Sequence, residues 1–252
     1  MSGQRTFLRQ VVWKTVPWEE DPAAKLPMDY LVDIGADIAE YLAQIKNDHE
    51  IDYTQLRTQV AGSLIELNTW WCVREAEHAQ SVREVPSNQI TNIPIFDTLL
   101  EYDALWTAYI VCIYNTMRIL LLQTWHRLHE HCNSIRSVDM DIVLDMSNST
   151  VLLGITSDTL GLACEILRSL NYCYRMSRSF TITFAFLFIQ EVAYSCLDRG
   201  SIEAEWAAAH GWAELVNPHD IQDANLLLRL LPMGKIKSES ATVPVMEPLT
   251  KS

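Results

Sequence analysis

The sequence predicts an all-α fold, a single bundle-like domain of about seven to nine helices. Three observations indicate it. Apolar residues recur at three- and four-residue spacing through most of the 252 residues, which is the period of one helix face. Only 8 Gly and 9 Pro are present, whereas all-β designs are dense in turns. Hydrophobic residues make up 49% of the chain and charged residues 20%, a balance typical of a chain that buries a core.

The N-terminal half is predicted to hold an irregular segment and two helices. Residues 1–26 are predicted irregular, and the first helix begins at Pro27, because proline suits a first helical turn. Asp52, with Gln55 three residues later, predicts the N-terminus of the second helix. The apolar face of the first helix comprises Leu31, Ile34, Ile38, Tyr41, Leu42 and Ile45, and that of the second Leu56, Val60, Leu64, Leu67 and Trp71.

The middle of the chain is predicted to contain the central helix. Residues 81–95 are rich in Pro, Ser and Asn, which predicts a loop. Asp97 is then expected to cap a long helix that runs to about Cys132 and is apolar enough to lie at the centre. Residues 133–150 are mixed polar with room for a short helix, and Thr150 to Arg178 is predicted helical.

The segment Phe180 to Leu197 is ambiguous, because FTITFAFLFI is rich in strand-forming residues. Its length and its continuation QEVAYSCL favour a buried helix. Gly200 is expected to end it in a left-handed conformation, and Ser201 to cap a helix through Trp206 and Trp212 to residue 216. A final helix is predicted over 220–231. The predicted organisation is therefore an irregular segment at 1–26, an all-α domain at 27–231 and a disordered tail at 232–252.

Charge and cysteine usage exclude several classes. Asp and Glu outnumber Lys and Arg by 32 to 19, giving a net charge of -13. Phosphate backbones are bound by clustered basic residues, so this chain alone is expected to bind neither DNA nor an anionic membrane. The apolar runs at 108–122 and 180–197 are interpreted as core helices rather than membrane spans. Six single cysteines and no secretory signal predict reduced thiols inside the cell.

Two clusters have the residue types of a metal site. WHRLHEHC places His126 and His129 three residues apart on one helix face, beside His131 and Cys132, but a zinc site needs further ligands. A solvated helix end is the favoured interpretation, because histidine is stabilised near a helix C-terminus. We therefore predict no metal or other cofactor at this cluster.

Asp29, Asp33 and Asp37 form a ridge at four-residue spacing. Carboxylates on one helix face can hold Mg²⁺, as in isoprenoid-type all-α enzymes. The ridge lies opposite the apolar face of its helix, so we expect it to face water. A small metal-dependent enzyme that uses this ridge is nevertheless the alternative function.

Other candidate residues are isolated. Asp139 and Asp141 form an acidic pair without a partner, and Cys164 and Cys173 are expected to be packed thiols rather than nucleophiles. Arg118 lies within an apolar helix. Its stem is expected to cover the core with its head in water or paired to a carboxylate. The sharper alternative is a contact for an anionic effector in a central cavity. No complete catalytic motif is present, so we predict neither catalysis nor a cofactor.

Four stretches occur in an order that resembles one family. They are WKTVPW followed by PMDYLVDIGADI; LIELNTWW; LLEYDALWTAYIVCIYNTMRILLLQTWHRL; and the run from GLACEILRSLNYC through FAFLFIQEVAYSCLDRGSIEAEWAAAHGW to HDIQDANLL. Over residues 11–231 they look like the helical C-terminal region of fungal six-cysteine binuclear zinc cluster transcription factors. The most typical matches are Trp106 and Tyr109 in WTAY, Met117 to Leu120 in MRIL, and Ile221 and Ala224 in IQDA.

The resemblance implies an all-α regulatory domain of a nuclear transcription regulator, often in fungal metabolic or secondary-metabolite pathways. The family's DNA-binding module needs six cysteines in Cys-x-x-Cys pairs that share two zinc ions, and no such pair is present. We expect a truncated gene product, a wrong gene model or a regulator that acts through a protein partner or by self-association. An unknown small-molecule effector is the further expected partner.

Overall fold

The computed structural model describes residues 7–47, 51–87, 95–136, 158–176 and 180–213. Within them the predicted all-α class is confirmed, with one small hairpin added. The elements are α1 (Val11–Thr15), α2 (Pro27–Asn47), α3 (Tyr53–Ser81), β1 (Val82–Pro86), β2 (Thr98–Tyr102), α4 (Leu105–Arg136), α5 (Thr159–Met176), α6 (Phe180–Tyr194) and α7 (Ile202–Ala213). The final helix predicted over 220–231 and the tail lie outside the described residues.

The N-terminal segment is more regular than the predicted irregular stretch at 1–26. Its described part forms α1 and three 3₁₀ turns, at Phe7–Arg9, Val16–Trp18 and Pro22–Ala24. The last turn is capped by Asp21, whose carboxylate accepts from the backbone N–H of Ala23 at 3.1 Å. Proline at the start of such turns fixes the backbone angle they require. We call residues 7–26 the N-terminal strap.

The central helix is α4, which packs against α2, α3, α5 and α6. Its segment Leu105–Cys132 is long and apolar enough to span a membrane by length and composition, with mean hydropathy 1.5, but 56% of that window is buried inside the fold. A core helix passes the same test. On α2, the predicted apolar face is confirmed: Leu31, Ile34 and Ile38 are each 2% exposed or less.

The hairpin contradicts the predicted loop over Val82–Pro86 and the predicted helix capped by Asp97, while residues 88–94 of that loop lie outside the described residues. Strands β1 and β2 pair antiparallel, with Val82 opposite Tyr102 and Pro86 opposite Thr98. Asp97 lies at the hairpin end, where its carbonyl accepts from the N–H of Ser87 at 3.0 Å. The strands were missed because no two-residue turn marks the hairpin. In addition, four successive residues of β2 are buried, so β2 lacks the polar alternation of a half-buried strand.

Arg168 of α5 binds both strands of the hairpin. Its Nε donates to the carbonyl of Thr98 at 3.0 Å and its Nη2 to Thr98 Oγ1 at 2.6 Å. The same Nη2 lies 3.0 Å from Glu84 Oε1. The hydrogen bond from Arg168 lowers the pKa of the Glu84 carboxyl. One guanidinium therefore joins α5 to both strands.

Two further links follow along α5. The buried hydroxyls of Tyr102 and Ser169 lie 2.7 Å apart, and Ser169 Oγ also donates to the carbonyl of Glu165 at 2.8 Å. Arg175, two turns beyond Arg168, places its Nη2 2.5 Å from Glu101 Oε1. The hairpin thus packs along one side of α5 rather than projecting from the bundle.

Two predicted helix starts are confirmed, at Asp52 and Ser201, whereas α6 ends at Tyr194, six residues before Gly200, where it was expected to end. Asp52 accepts from the N–H groups of Thr54 and Gln55 at 3.0 Å each, which satisfies donors that a helix leaves unpaired. The segment from Phe180 is helical, as its length favoured. Gly200 has φ +89°, and Ser201 Oγ accepts from the N–H of Ala204 at 3.1 Å, so α7 starts where predicted.

Gly62→Ala is expected to raise the free energy of unfolding by about 1 kcal/mol, because glycine is a poor residue for a helix interior. Gly62 is exposed within α3, and a Cβ there would meet nothing within 4 Å. Equilibrium urea unfolding measures the change. Gly200→Ala is the matched control and should destabilise, since its positive φ disfavours alanine. A loss of stability in Gly62→Ala would contradict the prediction.

Candidate functional site

The expectation that the aspartate ridge faces water is wrong for Asp33 and Asp37. Their side chains are only 20% and 17% exposed, because the N-terminal strap lies over them. Lys25 Nζ lies 2.5 Å from Asp33 Oδ2, and Lys14 Nζ lies 2.8 Å from Asp37 Oδ2. Arg9 Nε is 3.5 Å from Asp37 Oδ1. Sequence periodicity could not reveal this cover, since the strap is distant along the chain.

The third ridge residue has a local role. Asp29 Oδ2 accepts from the N–H of Leu26 at 2.7 Å, a contact at the start of α2 that a carboxylate favours. Within the described ranges, no group of three or more His, Cys, Asp or Glu residues is placed to hold a metal ion. Asp33 and Asp37 therefore bind the strap's lysines, whereas Asp29 binds the backbone at the start of α2.

The histidines of WHRLHEHC separate into different surroundings. His129 is half-buried and stacks on Trp125, with ring centroids 5.0 Å apart and planes 16° apart. His126 meets the same indole edge-on at 5.3 Å. His131 is exposed and lies 3.9 Å from the ring of Tyr53. These packing contacts agree with a helix-end interpretation of the cluster.

The six cysteines are free thiols that differ in burial: Cys72 is exposed, and Cys164 and Cys196 are half-buried. Cys112, Cys132 and Cys173 are buried. Burial raises the pKa of the Cys164 thiol and raises that of Cys173 well above its usual value. A protonated thiol is a poor nucleophile, so neither Cys164 nor Cys173 has the environment of a catalytic cysteine. The acidic pair at 139 and 141 lies outside the described residues.

Cys72, which is exposed, is expected to react with iodoacetamide at about pH 8 roughly a hundredfold faster than Cys173. Cys173 is 0% exposed, and its raised pKa keeps the thiol protonated at that pH. Mass spectrometry of quenched samples gives both rates. In urea the two rates should converge. Equal rates in the folded protein would contradict the burial and protonation state described for Cys173.

Arg118 lies in a cluster of aromatic rings where α3 meets α4. Its Nη1 donates to the hydroxyl of Tyr114, one turn earlier, at 3.4 Å. The Tyr114 ring stacks on Trp71, with centroids 4.3 Å apart and planes 14° apart, and lies 6.2 Å from the ring of Trp70. Burial raises the pKa of Tyr114, and Arg118 partly offsets that shift. Arg118 is therefore half-buried, and the Tyr114 hydroxyl is one partner of its head.

A second arginine extends the same cluster to α2. The Arg74 guanidinium lies 4.7 Å from the Trp70 ring centre and 5.9 Å from that of Tyr30. Its Nη1 donates to the carbonyl of Trp70 at 3.2 Å. Lys25 Nζ lies 4.4 Å from the Tyr30 ring centre. We call Tyr30, Trp70, Trp71, Arg74, Tyr114 and Arg118 the aromatic–cation cluster.

The aromatic–cation cluster is the site that sequence reasoning missed, apart from Arg118. Its available signal was the pair of four-residue spacings Trp70 to Arg74 and Tyr114 to Arg118, because residues so spaced meet on a helix surface. Cations above ring faces stabilise packing and can also attract anionic groups. Comparison of the chain with protein-family models, curated proteins and solved structures found no match.

Proposed function

We propose that this chain is a regulatory and interaction domain of the fungal transcription-factor type, which acts in the nucleus through a protein partner or by self-association. The observation that carries the proposal is the order of the resembling stretches across residues 11–231. An all-α fold is the class which that resemblance implies.

Surface chemistry supports protein rather than nucleic-acid partners. The net charge of -13 opposes a phosphate backbone. Trp106, in the first turn of α4 and in the WTAY match, is 53% exposed, and tryptophan is enriched where proteins meet. Tyr109 of the same match is half-buried and packs edge-on against Phe186, with centroids 5.7 Å apart. Tyr109 therefore anchors the turn that presents Trp106.

The DNA part of the proposal is tested with the isolated chain. Fluorescence anisotropy against a pool of short duplexes, at about 0.1 M salt, should show no sequence-selective binding. A fusion of the chain to a six-cysteine zinc cluster domain serves as the positive control. Selective binding by the isolated chain would refute this part of the proposal.

A recruitment assay tests the regulatory part. The chain fused to a heterologous DNA-binding domain is expected to change the output of a reporter gene severalfold. Trp106→Ala should reduce that change, because it removes the proposed contact. Trp13→Ala is the matched control, since Trp13 is 51% exposed on the N-terminal strap. An inert fusion, or equal loss in both variants at equal protein levels, would contradict the proposal.

The effector contact at Arg118 stays a prediction. Its guanidinium is half-buried and donates to the hydroxyl of Tyr114. The neighbouring Arg74 adds a second positive charge to the cluster. A planar aromatic acid is the chemical class that best matches stacked rings beside two guanidinium groups.

A further inference from the structure

We propose that the N-terminal strap is latched to α2 mainly by charge and leaves it reversibly while the rest of the fold stays intact. The latch consists of three basic side chains of the strap, Arg9, Lys14 and Lys25, on the carboxylates of α2. Its strongest points are the two lysine pairs, with N–O distances of 2.8 Å for Lys14 to Asp37 and 2.5 Å for Lys25 to Asp33.

A third ion-pair contact lies at the N-terminal end of the strap. Arg9 lies 3.5 Å from both Asp37 and Glu40, and its guanidinium sits 5.7 Å from the ring centre of Tyr41. The Glu40 side chain is only 7% exposed. A carboxylate at such a buried position gains from a nearby cation, because it has lost most of its hydration.

Apolar burial contributes little to holding the strap. No residue of α1 or of the turns Val16–Trp18 and Pro22–Ala24 is buried. Val11 is 71% exposed, Val12 60% and Val16 54%. The apolar face of α2 instead packs on α3 and α4. Over residues 11–16 separation therefore exposes little new apolar surface. Hydrophobic opposition to release is confined to the half-buried Trp18 and to the turn Phe7–Arg9, which contacts α2.

Ionic strength is the natural trigger of such a latch. The Debye length falls from about 10 Å at 0.1 M salt to about 3 Å at 1 M. Partly buried pairs in contact are screened less than exposed ones, so salt acts mainly on the separated strap, whose attraction back to α2 it weakens. Substitution of the α2 carboxylates removes the same attraction without added salt. When the strap leaves, Asp33, Asp37 and Glu40 lose their basic partners. The face of α2 that was neutralised then becomes acidic. The switch is independent of the function proposed above.

Limited trypsin digestion of the full chain tests the latch, because trypsin cleaves after the residues that form it. Cleavage after Lys14 and Lys25 is followed by mass spectrometry and divided by cleavage after Arg199, which lies exposed in the turn before α7. That ratio should rise about tenfold between about 0.05 M and 0.5 M NaCl. The far-UV circular dichroism should stay unchanged over the same range.

Variants provide the second arm of the test. The double variant Asp33→Asn, Asp37→Asn should show the high-salt ratio already at low salt. Glu20→Gln is the matched control, because it removes one exposed carboxylate of the strap itself. A ratio that stays within twofold across salt and variants would overturn the proposal. So would a double variant that loses its helical signal, since the strap would then be integral to the fold.

Discussion

Replacing Phe186 by alanine is expected to lower the free energy of unfolding by about 3–5 kcal/mol, the usual range for deleting a core phenylalanine. The Phe186 side chain is 0% exposed. It meets two other helices through edge-on aromatic contacts, at 5.7 Å to Tyr109 of α4 and 6.2 Å to Tyr174 of α5. The variant therefore loses apolar burial and two ring pairs, each worth about 0.5–1.5 kcal/mol beyond area.

Urea unfolding followed by circular dichroism measures this loss. Phe188→Ala is the matched control on the same helix, because Phe188 is 39% exposed and its truncation should cost less than about 1 kcal/mol. The loss expected for Phe186→Ala is a large fraction of the free energy of unfolding, which is about 5–15 kcal/mol for a typical domain. Similar losses in the two variants would contradict the packing described for α6.

Arg175→Met is expected to cost about 2 kcal/mol, because it leaves a buried carboxylate without its partner. Glu101 is 8% exposed, and its Oε1 lies 2.5 Å from Arg175 Nη2. The expected loss of unfolding free energy is smaller than for a fully buried pair, because the Arg175 side chain is 47% exposed. Solvent therefore screens part of the attraction. Methionine keeps most of the apolar stem, so the loss reports on charge.

A double-variant cycle separates the pair from its surroundings. Glu101→Leu combined with Arg175→Met should be more stable than Arg175→Met alone, because no unpaired charge remains. Arg127→Met is the matched control at an exposed position of α4 and should change stability by less than about 0.5 kcal/mol. Equal losses in Arg127→Met and Arg175→Met would show that Glu101 does not depend on its partner.

Features set by local periodicity and capping were predictable. The buried face of α2 from Leu31 to Ile38 follows from spacing along one helix, and Asp52 and Ser201 cap helices through backbone groups two or three residues away. The segment after Phe180 was decided correctly by length against strand propensity. In each case the decisive contacts lie within a few residues of one another, so the pattern along the chain contains them.

Features set by distant contacts were not predictable. Arg168 joins α5 to Thr98, 70 residues earlier, and nothing near either residue marks the pair. Asp37 looked solvated by its position on α2, yet Lys14, 23 residues earlier, covers it. The stacking of Trp71 on Tyr114 likewise depends on how α3 crosses α4. Such pairings are fixed by tertiary packing, which periodicity does not encode.

Two buried threonines of α4 form hydrogen bonds within their own helix. Thr116 Oγ1 donates to the carbonyl of Cys112 and Thr124 Oγ1 to that of Leu120, each at 2.7 Å. Both hydroxyl groups thus donate to carbonyls of their own helix. Such a bond allows a polar side chain to be buried among apolar neighbours. A polar group packed against α4 would therefore find no free hydroxyl proton at either threonine.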